Sequence, residues 1–142
     1  MIMFPIKSVS DLEKISAAVK WQYFEKLTAF IFEENGFDAK QNVIVKNEHY
    51  KRQFDVIAKR FDATWLVECK KWKSRKQRAG AMKSAAAKHL ERCALYETVA
   101  KPGRIMPLIV TLIEEEVVQH DGIFIVPVTK LNWFVNNFES FE

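Results

Sequence analysis

Glycine and proline are scarce in this chain, four of each among 142 residues. The glycines never gather into a phosphate-cradling loop, which argues against an ATP-driven enzyme and leaves no nucleotide cofactor to expect. Cysteine is scarcer still: Cys69 and Cys93 cannot build a disulfide framework, and both read as reduced core thiols of an intracellular protein. No apolar run approaches the length of a membrane span, and the N-terminal residues lack a signal-peptide pattern, so no membrane partner is expected. Internal repeats and low-complexity linkers are also missing, which leaves residues 1–142 as one domain. Acidic residues are outnumbered, 18 against 22 basic ones. The resulting charge of +4 points to a polyanionic partner only through where the basic residues cluster.

What is present is ordinary globular material, 49% apolar and 28% charged, which excludes wholesale disorder. Ser8 or Ser10 can cap a helix running to about Asn35, with Ser10 and Glu13 at capping-box spacing and Gly36 as its stop. Leu12, Ile15, Val19, Tyr23, Leu27, Phe30 and Ile31 hold helical spacing, with Gln22, Lys26, Ala29 and Glu33 on a more polar side. Glu25 falls between, in a stripe with Trp21, Thr28 and Phe32. Phe37 to Lys46 reads as a strand, closed by a turn at Asn47 and Glu48. Gln77 to about Val99 is a helix, with Leu90, Ala94, Ala86 and Ala87 expected to face a sheet. Ile105 to Ile113 has the continuous apolar character of a strand buried on both faces. Glu114 to Glu116 reads as an exposed loop or helix start, and Asp121-Gly122 turns into a buried strand over Ile123 to Val128. Thr129 is the expected cap of a last helix with Leu131, Phe134, Val135 and Phe138 inward and Trp133 off that stripe. The order is αβββαβ(β)α, a mixed central sheet flanked by helices.

The informative stretch runs from Asp55 to Lys70. Gln53 to Ala58 and Thr64 to Cys69 are two β-type runs joined by a short polar turn. Alternation puts Thr64, Leu66, Glu68 and Lys70 on one face and Trp65, Val67 and Cys69 on the other. A hairpin centred near Arg60 to Ala63 sets Asp55 roughly opposite Glu68. Two facing carboxylates repel unless a cation lies between them. An anionic pair with Lys70 beside it suits a divalent metal site for phosphodiester chemistry. By the same alternation Gln53 borders the site.

Asp55, the hairpin and Glu68-Cys69-Lys70 together resemble the PD-(D/E)xK, or restriction-endonuclease-like, nuclease superfamily. Glu25, about three turns ahead of Gly36, is similar to the glutamate of that superfamily's first helix. The motif spans roughly Trp21 to Trp72, and the element order extends it over nearly the whole chain. Within the superfamily the look is of archaeal Holliday junction resolvases and type IV restriction endonuclease domains. Phe54 stands where proline often precedes the aspartate, and residues 47–52 lack the serine- and glycine-rich loop of a resolvase. The resemblance implies a Mg²⁺-dependent DNA endonuclease, with Mn²⁺ as a substitute. Asp55, Glu68 and the backbone carbonyl of Cys69 would be the metal ligands. Lys70 would act on the attacking water, and Glu25 would reach the cluster directly or through a water.

Lys70 to Arg78 holds six basic residues and no acidic one. A helix start normally prefers acidic residues. Lys71, Lys73, Arg75, Lys76 and Arg78 are therefore expected to contact a nucleic-acid backbone. His89 and Cys93 are four apart on a helix and raise zinc as an alternative, but no second pair at ligand spacing exists. A partly exposed histidine beside a buried thiol is the expectation. Cutting both strands of a duplex takes two sites, so a homodimer is expected, with Trp133 as an interface aromatic. The rival reading is a catalytically idle nuclease fold that binds DNA as an accessory subunit.

Overall fold

The structure is a computed structural model describing residues 23–72, 75–100, 103–112 and 116–138. The elements are α1 (Phe24–Glu34), β1 (Asp38–Lys46), β2 (Lys51–Arg60), β3 (Ala63–Lys70), α2 (Arg75–Ala100), β4 (Arg104–Thr111), β5 (Val118–His120), β6 (Ile123–Pro127) and α3 (Val128–Asn137). The six strands form one sheet in the order β1-β2-β3-β4-β6-β5. β1, β2 and β3 are antiparallel, β4 and β6 run parallel to β3, and β5 returns antiparallel on the far edge. The expected mixed α/β architecture is what the chain adopts.

Apolar residues sort onto the two faces of the sheet by strand alternation. Trp65, Val67, Cys69, Leu108 and Val110 pack with Phe24, Leu27, Phe32, Leu131 and Phe134, so α1 and α3 cover one face. Leu66 and Phe54 pack with Cys93 and Tyr96, and Ile109 and Ile125 pack with Ala85 and Ala86, so α2 covers the other. Trp65 anchors the first core, with Phe32, Phe134 and Phe138 arranged around it at ring separations of 5.0–6.0 Å.

Gly36 ends α1 because the chain turns there at φ +84°, where a Cβ is strained. Gly36 N–H donates to Glu33 O and Phe37 N–H to Phe32 O, and the Phe32 and Phe37 rings meet edge-on at 5.2 Å. That is a Schellman stop with its apolar clasp. The upstream part of this helix, with Ser8, Ser10 and Glu13, lies outside the described residues.

Several expectations are corrected. The buried arc of α1 is wider than its expected stripe and includes Phe24, Thr28, Ala29 and Phe32, while Tyr23 is exposed. The cause is that α1 packs against both the sheet and α3, so more of its surface is covered. The sheet-facing stripe of α2 is Ala85, Ala86, His89, Cys93 and Tyr96, whereas Ala87, Leu90 and Ala94 face outward. Fully buried His89 donates from Nε2 to Leu66 O at 2.7 Å, and this fixes the rotation of the helix. The first half of β4 is only partly buried, with full burial from Leu108 to Thr111. α3 begins at Val128 after Pro127 with no side-chain cap, so Thr129 sits within its first turn. β5 was not expected. It pairs with β6 through a two-residue turn in which Asp121 (φ +52°) and Gly122 (φ +83°) are both left-handed, the hairpin geometry that Asp-Gly favours.

Candidate active site

The parallel strands β3, β4 and β6 bring their carboxyl ends together, the end at which open α/β sheets place ligands. Glu68, Cys69 and Lys70 stand at that end of β3. The hairpin register pairs Val56 with Val67 and Ile57 with Leu66. One further step sets Asp55 opposite Glu68, beyond the last backbone pair. There the ladder gives way to a side chain: Asp55 Oδ2 accepts the backbone N–H of Cys69 at 2.8 Å.

β2 loses its alternation at this point. Phe54 and Ile57 share the α2-side core, and Val56 and Ala58 share the other. The slip therefore falls at Asp55, and across the ladder the β1 pairing skips Asn42, which is left-handed at φ +52°. A break in the ladder is what frees the Asp55 carboxylate to turn toward β3. The same slip removes the alternation from which Gln53 was placed beside Asp55. The Gln53 amide instead donates to Asn42 Oδ1 at 3.1 Å.

Glu68 is 9% exposed and lies between two cations. Lys70 Nζ is 3.6 Å from its Oε1, and Arg92 Nη1 is 3.1 Å from its Oε2. Arg92 was not singled out by the sequence reading. Its signal was its place one turn beyond His89, on the stripe of α2 that faces the sheet. Glu25, half-buried on α1, approaches from the opposite layer. Burial raises the Glu25 carboxyl, the Asp55 charge adds to the rise, and Lys71 lowers it.

Electrostatically the three carboxylates form one group. Burial pushes Glu25, Asp55 and Glu68 above the usual range, and the Asp55 charge adds to the rise at both glutamates. At Asp55 the Cys69 N–H, Arg92, Lys70 and Lys71 pull the other way. At Glu68 Arg92 and Lys70 do so. Cys69 joins the layers. Its Sγ is 3.6 Å from Thr28 Oγ1, which donates to Phe24 O at 2.9 Å, one turn of α1 around Glu25.

Among the described residues no three His, Cys, Asp or Glu side chains close into a cage for an ion. Mg²⁺ does not require one, since it commonly binds through one or two carboxylates and keeps several waters. A half-buried carboxylate beside a buried one, with the Asp55 charge adding to the raised proton affinity of Glu68, is a donor set that fits such an ion. The zinc alternative does not fit: His89 Nε2 is spent on Leu66 O and the ring is buried against Phe54.

Of the basic run, Lys71 and Lys76 are exposed. Arg75 and Arg78 lie in the first turn of α2, which carries no acidic residue, and Lys73 lies outside the described residues. Cys69 and Cys93 are free thiols in cores on opposite faces of the sheet.

A mixed sheet between helical layers, with acidic residues and a lysine at the end of its central hairpin, defines a restriction-endonuclease-like fold of the PD-(D/E)xK superfamily. A family model, Mrr_cat, described as a restriction endonuclease, matches residues 16–99, and the chain belongs to that family. An uncharacterized protein of Archaeoglobus fulgidus is 30% identical over 119 residues, covering 84% of this chain and 92% of the relative. The small subunit of the heterodimeric restriction endonuclease R.BspD6I shares the fold, with a TM-score of 0.55 at 12% identity over 92% of this chain and 78% of that one. A crystallised protein of unknown function, AF1548, is 29% identical over 63% of this chain, with a TM-score of 0.43. The chain spans 45% of that structure's length.

Proposed function

We propose that this chain is a metal-dependent DNA endonuclease that hydrolyses phosphodiester bonds at the site formed by Asp55, Glu68 and Lys70. The observation that carries this reading is the break in β2, which turns Asp55 out of the ladder and onto the Cys69 N–H beside Glu68. Asp55, Glu68 and the Cys69 carbonyl are the groups that would hold Mg²⁺ or Mn²⁺. When bound, such an ion activates a water and neutralises charge on the phosphate. Lys70, ion-paired to Glu68, orients the attacking water and offsets charge developing on the phosphate oxygens. Glu25, on the α1 side, would reach the ion directly or through a water. Lys71, Lys73, Arg75, Lys76 and Arg78 supply contacts to the DNA backbone.

Two free thiols in separate cores agree with a reducing, intracellular setting. No helix among the described residues is long and apolar enough to cross a membrane. A twofold homodimer would give one site per strand of a duplex. Trp133, 47% exposed and off the buried stripe of α3, is the interface aromatic we expect. Sedimentation as a monomer at assay concentration would leave single-strand nicking as the activity.

One observation favours the accessory-subunit reading. Glu68 is already balanced by Arg92 and Lys70, so the folded protein can keep this carboxylate without an ion. A nicking assay on plasmid and branched DNA, with Mg²⁺, Mn²⁺ or EDTA, decides between the two. Metal-dependent cutting abolished by Asp55→Asn supports the enzyme. Binding without cutting on every substrate supports the accessory subunit.

A further inference from the structure

We propose that Arg92 is a resident counter-cation of the site: it holds Glu68 in the metal-free protein and passes to a DNA phosphate when a divalent ion takes Glu68. The inference rests on the nuclease reading above and adds a residue that the acidic motif does not contain.

The geometry begins with α2. His89 Nε2 donates to Leu66 O at 2.7 Å, two residues along β3 from Glu68, and Cys93 is buried in the core beneath Phe54 and Leu66. These two contacts fix the helix on either side of Arg92. The guanidinium is thereby delivered to Glu68 Oε2 at 3.1 Å, although Arg92 itself keeps 23% of its side-chain surface. It sits at the margin between the covered carboxylate and solvent.

Among the described residues Glu68 is the hydrogen-bond partner of Arg92. A guanidinium has five donors in a planar fork, and most of them remain for a second anion. Lys70 occupies the other oxygen of Glu68 at 3.6 Å, so both carboxylate oxygens face a cation from the protein. A divalent ion drawing on Glu68 must displace one of them. Lys70 lies two residues from Glu68 on the same strand face and, on the nuclease reading, is the group that stays beside the attacking water. Arg92 arrives from a different layer on a long side chain and can swing outward. Planar bidentate pairing with a phosphate is what its headgroup does best.

Arg92 therefore opposes metal binding and assists DNA binding. Two effects of opposite sign from one side chain are not expected of a group that only supports the fold.

The test is calorimetric titration of Mn²⁺ into the parent and Arg92→Gln proteins without DNA, followed by duplex binding across a range of salt. Removing a charge a few ångströms from the ion should tighten metal binding roughly tenfold. With metal present, the salt dependence of duplex binding should lose about one unit of log–log slope. In EDTA the slope should be unchanged, because Glu68 already holds Arg92. A second variant covers the case in which Arg92→Gln does not fold. Glu68→Gln releases Arg92, so duplex binding in EDTA should strengthen several-fold, and the added Arg92→Lys change should lose much of that gain, since an ammonium cannot pair bidentately; a gain that Arg92→Lys leaves whole would overturn the inference. If the parent binds Mn²⁺ and Arg92→Gln binds it no more tightly, the inference is overturned while the nuclease reading stands. If the parent binds no metal, both fall.

Discussion

The backbone N–H of Cys69 donates to Asp55 Oδ2 at 2.8 Å, so a side chain of β2 replaces the strand-to-strand bond at the point where the site begins. Cys69 thus ties two elements to β3: its N–H fixes Asp55, and its Sγ meets Thr28 on α1. The place of Asp55 beside β3 is consequently set by a backbone bond, and that of β3 against α1 by a contact in the core. Such support is what a site needs to hold its groups in a productive geometry.

Asp55→Asn tests the acidic group without dismantling its frame, because the amide oxygen can still accept the Cys69 N–H. Metal binding and cleavage should fall together, with the duplex still bound. The Asp55 carboxyl is raised by burial, so the folded protein retains a proton there that the unfolded chain has lost. Stability from this group is present below the ordinary carboxylate range and is lost as pH rises through the raised value. Relative to the parent, denaturation midpoints should therefore move in favour of Asp55→Asn as pH rises from acid to neutral, whatever the net trend that the two proteins share. A relative shift the other way would mean that Asp55 is not held in a desolvated setting.

Lys70→Met keeps most of the volume of the side chain and removes its charge and donors. If Lys70 only offsets Glu68, metal should bind at least as well and cleavage should survive. If it acts on the attacking water, metal and DNA should still bind while turnover falls by on the order of a hundredfold or more. Single-turnover cleavage at saturating metal is the measurement. A rate close to the parent's would remove Lys70 from the chemistry.

Charge reversal at Lys73, Arg75 and Lys76 should weaken duplex binding to a similar degree for every sequence and flatten its salt dependence. Binding that is unchanged at low ionic strength would return these residues to a solvated helix start.

Much of this site was legible because a two-residue hairpin fixes register by arithmetic: once the turn falls at Phe61-Asp62, Asp55 must approach Glu68. The chemistry of Glu68 and Lys70 showed in plain alternation. What was not legible came from departures from regular period and from partners distant in sequence. Strict alternation cannot reveal the slip at Asp55. The face of α2 was assigned from Leu90 and Ala94 on hydrophobicity alone. The structure turns instead on His89, whose burial depends on a carbonyl 23 residues away, and Arg92 was missed with it. β5 left a signal that was passed over, since Asp121-Gly122 after Val118 is a hairpin turn as readily as the start of a strand.

The two thiols should resist alkylation in the native state. Burial raises Cys69 well above the ordinary thiol range and Cys93 to about 12, and only a thiolate reacts. Mass spectrometry after iodoacetamide treatment near neutral pH should find the native protein largely unmodified. In denaturant both cysteines should be labelled. Rapid native labelling of Cys69 would show that the Thr28 contact opens and that α1 does not hold Glu25 in a fixed place.

The last prediction concerns acid stability and falls on His89. Its ring is fully buried, with Nε2–H committed to Leu66 O and Nδ1 without a partner among the described residues. Burial lowers its pKa to about 4, with Arg92 and Lys70 adding to the fall and the Leu66 carbonyl opposing it. The unfolded chain takes up a proton near pH 6.5 that the folded protein refuses. Stability is therefore lost as pH falls from 6.5 toward 4, by on the order of 3 kcal/mol at most. This sign is opposite to that of the raised carboxylates, so the two groups separate by mutation. His89→Gln can keep a donor to Leu66 O and does not titrate. It should start less stable at neutral pH, because the amide fills the ring's space poorly, but lose less on acidification. Urea denaturation at pH 7.5 and pH 5 for both proteins measures the difference. Equal losses for parent and variant would mean that His89 takes up its proton within the fold, and that its bond to Leu66 does not hold α2 as described.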